Sequence, residues 1–253
     1  MGTIKRRLLS ILILAGTLTG ATAQTGGLPG LGGGNLSSII TRLFGDVKGF
    51  SCDALMKVKD DTGATPTELP MVFSVAGGDF RADLDLTKVK NDKMHAGMAD
   101  QLKQLGMADV RMIVRPTQKK TILVYPGLKS YVDLPLSKEQ IEASDKLPKI
   151  ETVELAKESA EGHACVKNKL TVTDPAGKKQ EVTVWNASDL KGFPVRMQFQ
   201  DGDSNVTLSY SNVKMEQPAA TAFQAPGGFT KYENMQALMQ GAMQKMLGGT
   251  GKK

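Results

Sequence analysis

The chain has 253 residues, of which 40% are hydrophobic and 23% charged, and this composition excludes a wholly disordered polymer. Its formal net charge is +6, from 32 Lys and Arg against 26 Asp and Glu. Three of the positive charges, Lys5, Arg6 and Arg7, lie in a segment that we expect to be removed. The remaining charge of about +3 is too small and too scattered for a protein that binds nucleic acid.

The N-terminus has the pattern of an export signal. A basic start at residues 5–7 precedes an apolar run from Leu8 to about Leu18, and Ala21-Thr22-Ala23 provides the small residues of a cleavage site. The run is shorter than the ~20 residues that span a bilayer, so we predict a cleaved signal peptide over residues 1–23, with a retained anchor as the alternative. Because no cysteine follows the run, lipid attachment is not expected. The predicted location is periplasmic or secreted, without a membrane span.

Three regions are predicted after the signal. Residues 24–34 are glycine-rich and form a flexible linker. Residues 35–232 form one domain, which begins with an amphipathic helix capped by Asn35 and ending at Gly45. Residues 233–253 form a Met-rich helix with a flexible basic tail.

From Phe50 to about Tyr210, apolar and polar residues alternate and turn residues recur at short intervals. In the run from Phe80 to Leu86 the charged residues point away from the apolar ones, as in an antiparallel sheet with one buried and one wet face. About ten or eleven strands are readable, a number at which an open twisted sheet curls. The predicted strands are one that starts at Cys52, Phe80–Leu86, and 69–76, 110–115, 119–125, 129–134, 151–158, 164–173, 180–187, 194–200 and 204–214.

Helical periodicity predicts further helices within and after these strands. One runs from Met94 to about Leu105, and another begins at Ser137 with a capping box that uses Gln140 and ends at Pro148. The last runs from Tyr232 to Leu247. The predicted fold is therefore mainly β with α: a curled antiparallel sheet, or half-open β-barrel, of 10–11 strands covered by amphipathic helices.

Four stretches of turn and strand-end residues carry a family resemblance: Tyr125–Tyr131, Glu161–Cys165, Val184–Val195 and Phe223–Phe229. Together they resemble an uncharacterised family of exported bacterial proteins related in fold to LolA, the periplasmic carrier of outer-membrane lipoproteins. The resemblance covers about residues 50–232. It implies an eleven-stranded half-open barrel with helices over its concave face, and acyl chains between barrel and helices in the carrier relatives. No functional motif of LolA is visible, so no functional residue is transferred.

The residues favour a compatible class of ligand, because Met side chains adapt to variable apolar partners and the chain has 13 of them. The predicted pocket wall is Phe80, Leu84, Val110, Met112, Val114, Val195, Met197 and Phe199. The predicted lid is Met94, Met98, Met235, Met239, Met243 and Met246. We expect a non-enzymatic protein without a cofactor that binds a lipid or lipoprotein acyl chain, with a cell-envelope protein as a possible partner.

Two alternatives to this function remain open. The helices could complete a filled core in a structural envelope protein. The thioethers of the last helix could instead bind copper(I) in a periplasmic protein, because soft sulfur ligands select that ion.

The two cysteines, Cys52 and Cys165, lie in predicted strands, and in an exported chain they most simply form a disulfide. A Cys165 thiol with His163 as its base is the alternative, but no oxyanion motif accompanies the pair. Asp83 and Asp85 could form an acid pair, although nearby cations favour a solvated charged edge. Motifs for phosphate loops, serine hydrolases and zinc proteases do not occur in the sequence.

Overall fold

A computed structural model describes residue 44 and residues 47–60, 65–91, 97–138, 140–141, 149–173, 177 and 179–248, without the side chains of residues 60 and 245–248. The predicted signal peptide and linker lie outside the described residues, as does the first predicted helix apart from Phe44. Met94 and most of the helix predicted to end at Pro148 also lie outside them. The division of the chain into the four predicted regions stays a prediction.

The structure contains strands along most of its described length. They are β1 (Gly49–Asp60), β2 (Thr67–Ala76), β3 (Asp79–Asp85), β4 (Asp109–Arg115), β5 (Lys120–Tyr125), β6 (Ser130–Pro135), β7 (Lys149–Ala160), β8 (His163–Thr173), β9 (Lys179–Ala187), β10 (Phe193–Asp201), β11 (Ser204–Lys214) and β12 (Thr230–Tyr232). Two described helices accompany them, α1 (Met98–Gln104) and α2 (Met235–Gly248).

These strands form one 12-stranded sheet in the order β12-β6-β5-β4-β3-β2-β1-β11-β10-β9-β8-β7. Its pairings are antiparallel except that of β12 with β6. Short turns make sequence neighbours pair with each other, and the pairing of β1 with β11 joins the two resulting meanders. The predicted antiparallel sheet is confirmed. Strand β12 was not predicted, because its three residues are too few to show alternation.

The sheet curls so that its concave face encloses the main core. Phe50 on β1 and Phe193 on β10 pack with ring centroids 4.9 Å apart, although β11 lies between their strands. Buried residues of β3 and β8, six places apart in the sheet order, belong to the same cluster. Strand twist accumulated over this many strands produces the curl. The two edge strands, β12 and β7, do not pair with each other, so the sheet stays open.

The C-terminal residues wrap around the β6 edge of the sheet. After β11, Phe223 packs on the convex face against Ile113 and Ile122. The chain then pairs β12 with β6, and α2 returns on the other face, where Leu238 packs with Val132. One segment therefore covers part of both faces of the sheet.

The predicted disulfide is wrong, because both cysteines are free and buried. Cys52 lies opposite Phe73 of β2 on the concave face. Cys165 lies opposite Ala187 of β9. Their strands are four places apart in the sheet order, so no strand pairing places the two thiols side by side.

Candidate functional site

The candidate site is the concave face of the sheet, which alternation places at every second residue. On β3, Phe80, Ala82 and Leu84 are buried and the residues between them are half-buried, as predicted. The register carries this face to β2, where Met71 lies opposite Leu84 and Phe73 opposite Ala82. Met71 is a buried concave-face residue that the predicted wall left out, although the alternation of the 69–76 strand could have indicated it.

The structure brings most of the predicted wall together. Six of the predicted residues are buried in the main core: Phe80, Leu84, Met112, Val114, Val195 and Met197. Phe199 is half-buried and packs against the same core. Val110 packs instead in an adjoining cluster with Tyr125, Val132 and Leu238, beneath α2.

One end of the concave face is closed by aromatic side chains, and we call it the aromatic end. Phe44, Phe50, Phe73, Phe80, Phe193 and Tyr210 contact one another there with ring centroids between 4.5 and 6.4 Å apart. Several of these pairs are tilted or edge-to-face, which interlocks the rings. They meet because β1, β3 and β10 begin at this end and β2 and β11 finish there.

The opposite end of the concave face is aliphatic, and we call it the aliphatic end. Its buried residues are Leu69, Leu84, Val172, Val182 and Val206. Its outermost side chains, Val58, Ile150 and Phe199, are only half-buried against the core. The two ends of the concave face thus differ in chemistry and in how far they are covered.

The buried part of the concave face carries no charge at neutral pH. Burial raises the pKa of the Cys52 thiol to about 12, and it raises the pKa of the Tyr210 hydroxyl strongly, so both groups stay protonated. Among the described residues, no charged side chain is buried, and Ser130 is the one buried polar residue. An uncharged apolar surface of this kind can hold the hydrocarbon part of a ligand but not its ionic part.

The predicted lid methionines have different surroundings. Met235 and Met239 pack in the cluster beneath α2, and the Tyr125 hydroxyl lies 3.9 Å from the Met235 sulfur. Met243 is 63% exposed, because the buried face of the helix is centred on Leu238 and Ala242. Met98 lies at the start of α1 and is half-buried, while Met94 and the side chain of Met246 lie outside the described residues.

The thiol and histidine near the start of β8 do not form a catalytic pair. The Cys165 sulfur donates to the His163 carbonyl oxygen at 3.4 Å, while His163 Nδ1 pairs with Asp189 at 2.8 Å. Burial raises the pKa of Cys165, which keeps the thiol protonated and unreactive.

The acidic residues of β3 are parts of ion pairs on the convex face. Arg81 and Arg111 donate to Asp83 through their Nε atoms at 3.0 and 2.7 Å. Asp85 accepts a hydrogen bond from the Thr87 hydroxyl at 2.6 Å, and this bond lowers its pKa. The structure therefore shows a charged convex face on an inner strand, and not an acid pair.

Two other kinds of site are absent from the described ranges. No helix there is long and apolar enough to cross a membrane. Nor does that part of the chain contain a group of three or more His, Cys, Asp or Glu side chains placed to hold a metal ion.

Comparison with known proteins gives similarity of fold alone. No protein-family model matches the chain. No curated protein matches it either. A LolA superfamily protein from Nitrosomonas europaea is 12% identical over 75% of this chain and 97% of that chain, with a TM-score of 0.36. Lipoprotein LppX of Mycobacterium tuberculosis is 13% identical over 74% of this chain and 93% of its own, with a TM-score of 0.36. LprF from Mycobacterium bovis is 15% identical over 76% of this chain and 96% of that chain, with a TM-score of 0.38.

Proposed function

We propose that the protein is an exported, non-enzymatic binding protein that holds an acyl chain of a lipid or lipoprotein on the concave face of its sheet. The observation that supports this most is the continuous apolar surface of an open sheet, whose buried, uncharged residues extend from β4 to β8. Apolar surface of this size must be covered, and a hydrocarbon chain covers it as well as protein does.

The side chains that cover this face in the described part of the chain also support the proposal, because they come from connecting segments and not from a second sheet. Phe44 and Val47 precede β1, Val89 follows β3 and Leu136 follows β6, and all four pack against the main core. Connecting segments can move without breaking the hydrogen bonds between strands. A ligand would replace part of this cover. A cell-envelope protein that supplies or receives the ligand is the expected partner, and the periplasm or the cell exterior the expected compartment.

The test is native mass spectrometry of the protein purified from its exported location, followed by titration of the lipid-free protein with a fluorescent fatty acid. We expect a lipid or acyl chain to travel with the protein and the fatty acid to bind saturably. The Met197→Asp variant, which places a carboxylate on the concave face, should lose binding. Val72→Asp is the matched control, since Val72 is exposed on the convex face. If the wild-type protein carries no lipid and binds no fatty acid, the proposal is wrong and the protein is a structural one with a filled core.

A further inference from the structure

Between the aromatic end and the aliphatic end, the concave face has a middle layer of small and flexible side chains. Its members are all buried: Ala54, Met56, Met71, Ala82, Met112 and Met197. We call them the alanine–methionine layer. Only Met112 and Met197 were predicted as site residues, because the others come together through cross-strand pairing.

Each alanine of this layer lies between an aromatic residue and a methionine on the neighbouring strands. Ala82 of β3 pairs with Phe73 of β2 on one side and with Met112 of β4 on the other. Ala54 of β1 pairs in the same way with Met71 of β2 and Tyr210 of β11. Two independent rows of the sheet therefore repeat one arrangement.

An alanine beside two long residues leaves a volume that the ends of those residues must fill. Aromatic rings interlocked with other rings cannot move into it, whereas an unbranched Met side chain can enter and leave by changing rotamer. Met56 and Met197 extend the flexible surface, since both pair with Leu208 of β11. The methionines are thus the part of the concave face that can change shape.

We propose that the ligand's acyl chain binds against the alanine–methionine layer, which we call its seat, and that the aromatic end closes this binding site. This inference rests on the proposed function. The chain binds with its terminal methyl towards Phe73 and Tyr210, and its polar group stays at the half-covered aliphatic end. From Phe73 to the start of β2 at Thr67 the strand is about 20 Å long at ~3.4 Å per residue, which defines the depth of the seat. Long, single, uncharged hydrocarbon chains of varied shape are the class of ligand that this seat selects.

The role of the layer in ligand binding can be tested by enlarging one of its alanines. We expect the Ala82→Leu variant to fold with a somewhat lower melting temperature, because it adds volume between Phe73 and Met112, and to bind palmitate at least tenfold more weakly than the wild type. The matched control is Ala76→Leu, which enlarges a buried alanine of the convex-face cluster with Phe223 and should leave palmitate binding unchanged. If Ala82→Leu folds and binds palmitate like the wild type, the layer is not the seat.

A second measurement needs no variant and covers the case in which Ala82→Leu does not fold. In protein labelled with ¹³C at the methionine methyl groups, palmitate should shift the signals of Met56, Met71, Met112 and Met197. The signals of Met235 and Met239, beneath α2, should stay in place. Binding that shifts only the latter two signals would overturn the inference while preserving the proposed function. Absence of any binding by the wild type would overturn the proposed function itself.

Discussion

The carboxylate of Asp133 on β6 accepts a hydrogen bond from the ammonium group of Lys231 on β12, at 3.0 Å. Lys120 on β5 donates to the same oxygen at 3.2 Å. Burial raises the pKa of Asp133, but the bonds from the two lysines outweigh this effect and lower it overall. The parallel pairing of β12 with β6 is only three residues long, and this carboxylate adds two ionic hydrogen bonds next to it.

We therefore expect Asp133→Asn to loosen the segment that carries α2. The loss should be about 1 kcal/mol of unfolding free energy, as for other hydrogen bonds to charged groups that are partly exposed. Hydrogen exchange should accelerate in residues 230–248 and not in β1 or β11. Unchanged exchange throughout residues 230–248 would show that the side chains beneath α2, and not the carboxylate, hold the segment.

The free cysteines lead to a prediction about chemical labelling. Because both thiols are buried and burial raises their pKa values, iodoacetamide should not modify the native protein at pH 8. In denaturant without reductant, both residues should be alkylated, which mass spectrometry detects as two added groups. An unmodified denatured chain would mean that Cys52 and Cys165 are oxidised after all.

A close backbone approach gives a prediction about stability. A Cβ atom at Gly127 would lie 2.6 Å from the Gly106 carbonyl oxygen, so the turn after β5 and the turn after α1 can approach only with glycine there. Gly127→Ala should destabilise the protein by about 1 to 3 kcal/mol, the usual cost of overpacking. Gly227→Ala is the control, because a Cβ there meets nothing within 4 Å. Chemical denaturation of both variants measures the difference, and equal stabilities would contradict the close approach.

The single tryptophan reports on the edge strand β7. Trp185 donates its indole N–H to Glu158 at 2.5 Å, and Lys167 lies 4.9 Å from the centre of its ring. The bond from Trp185, with a further one from Lys167, lowers the pKa of Glu158. Because the folded-state pKa is the lower one, the contribution of Glu158 to stability is complete above about pH 4.3 and is lost as the pH falls through the lowered pKa.

Tryptophan fluorescence should accordingly stay constant from neutral pH down to about pH 4 and change only in more acidic solution. In Glu158→Gln the acid transition should disappear. Glu154→Gln serves as the control, since Glu154 is an exposed carboxylate on the same strand. A transition of the same size in Glu158→Gln would assign the change to another carboxylate.

The sequence by itself determined the local features of this protein. Alternation predicted the strand that begins near Phe80, and most predicted strand ends lie within two residues of the observed ends. This was possible because side-chain direction in a strand depends only on the local backbone. The capping box is also local, and Ser137 and Gln140 bond each other's backbone N–H groups at 3.2 and 2.8 Å.

Only the tertiary structure decided which strands lie side by side. The pairing of β1 with β11 brings Ala54 next to Tyr210, and the sheet order places Cys52 and Cys165 four strands apart. Alternation could not show either, because it assigns a face to each residue but no neighbour on that face. The alanine–methionine layer exists for the same reason: its residues come from five strands, and the register between strands, not the spacing along any one of them, brings them together.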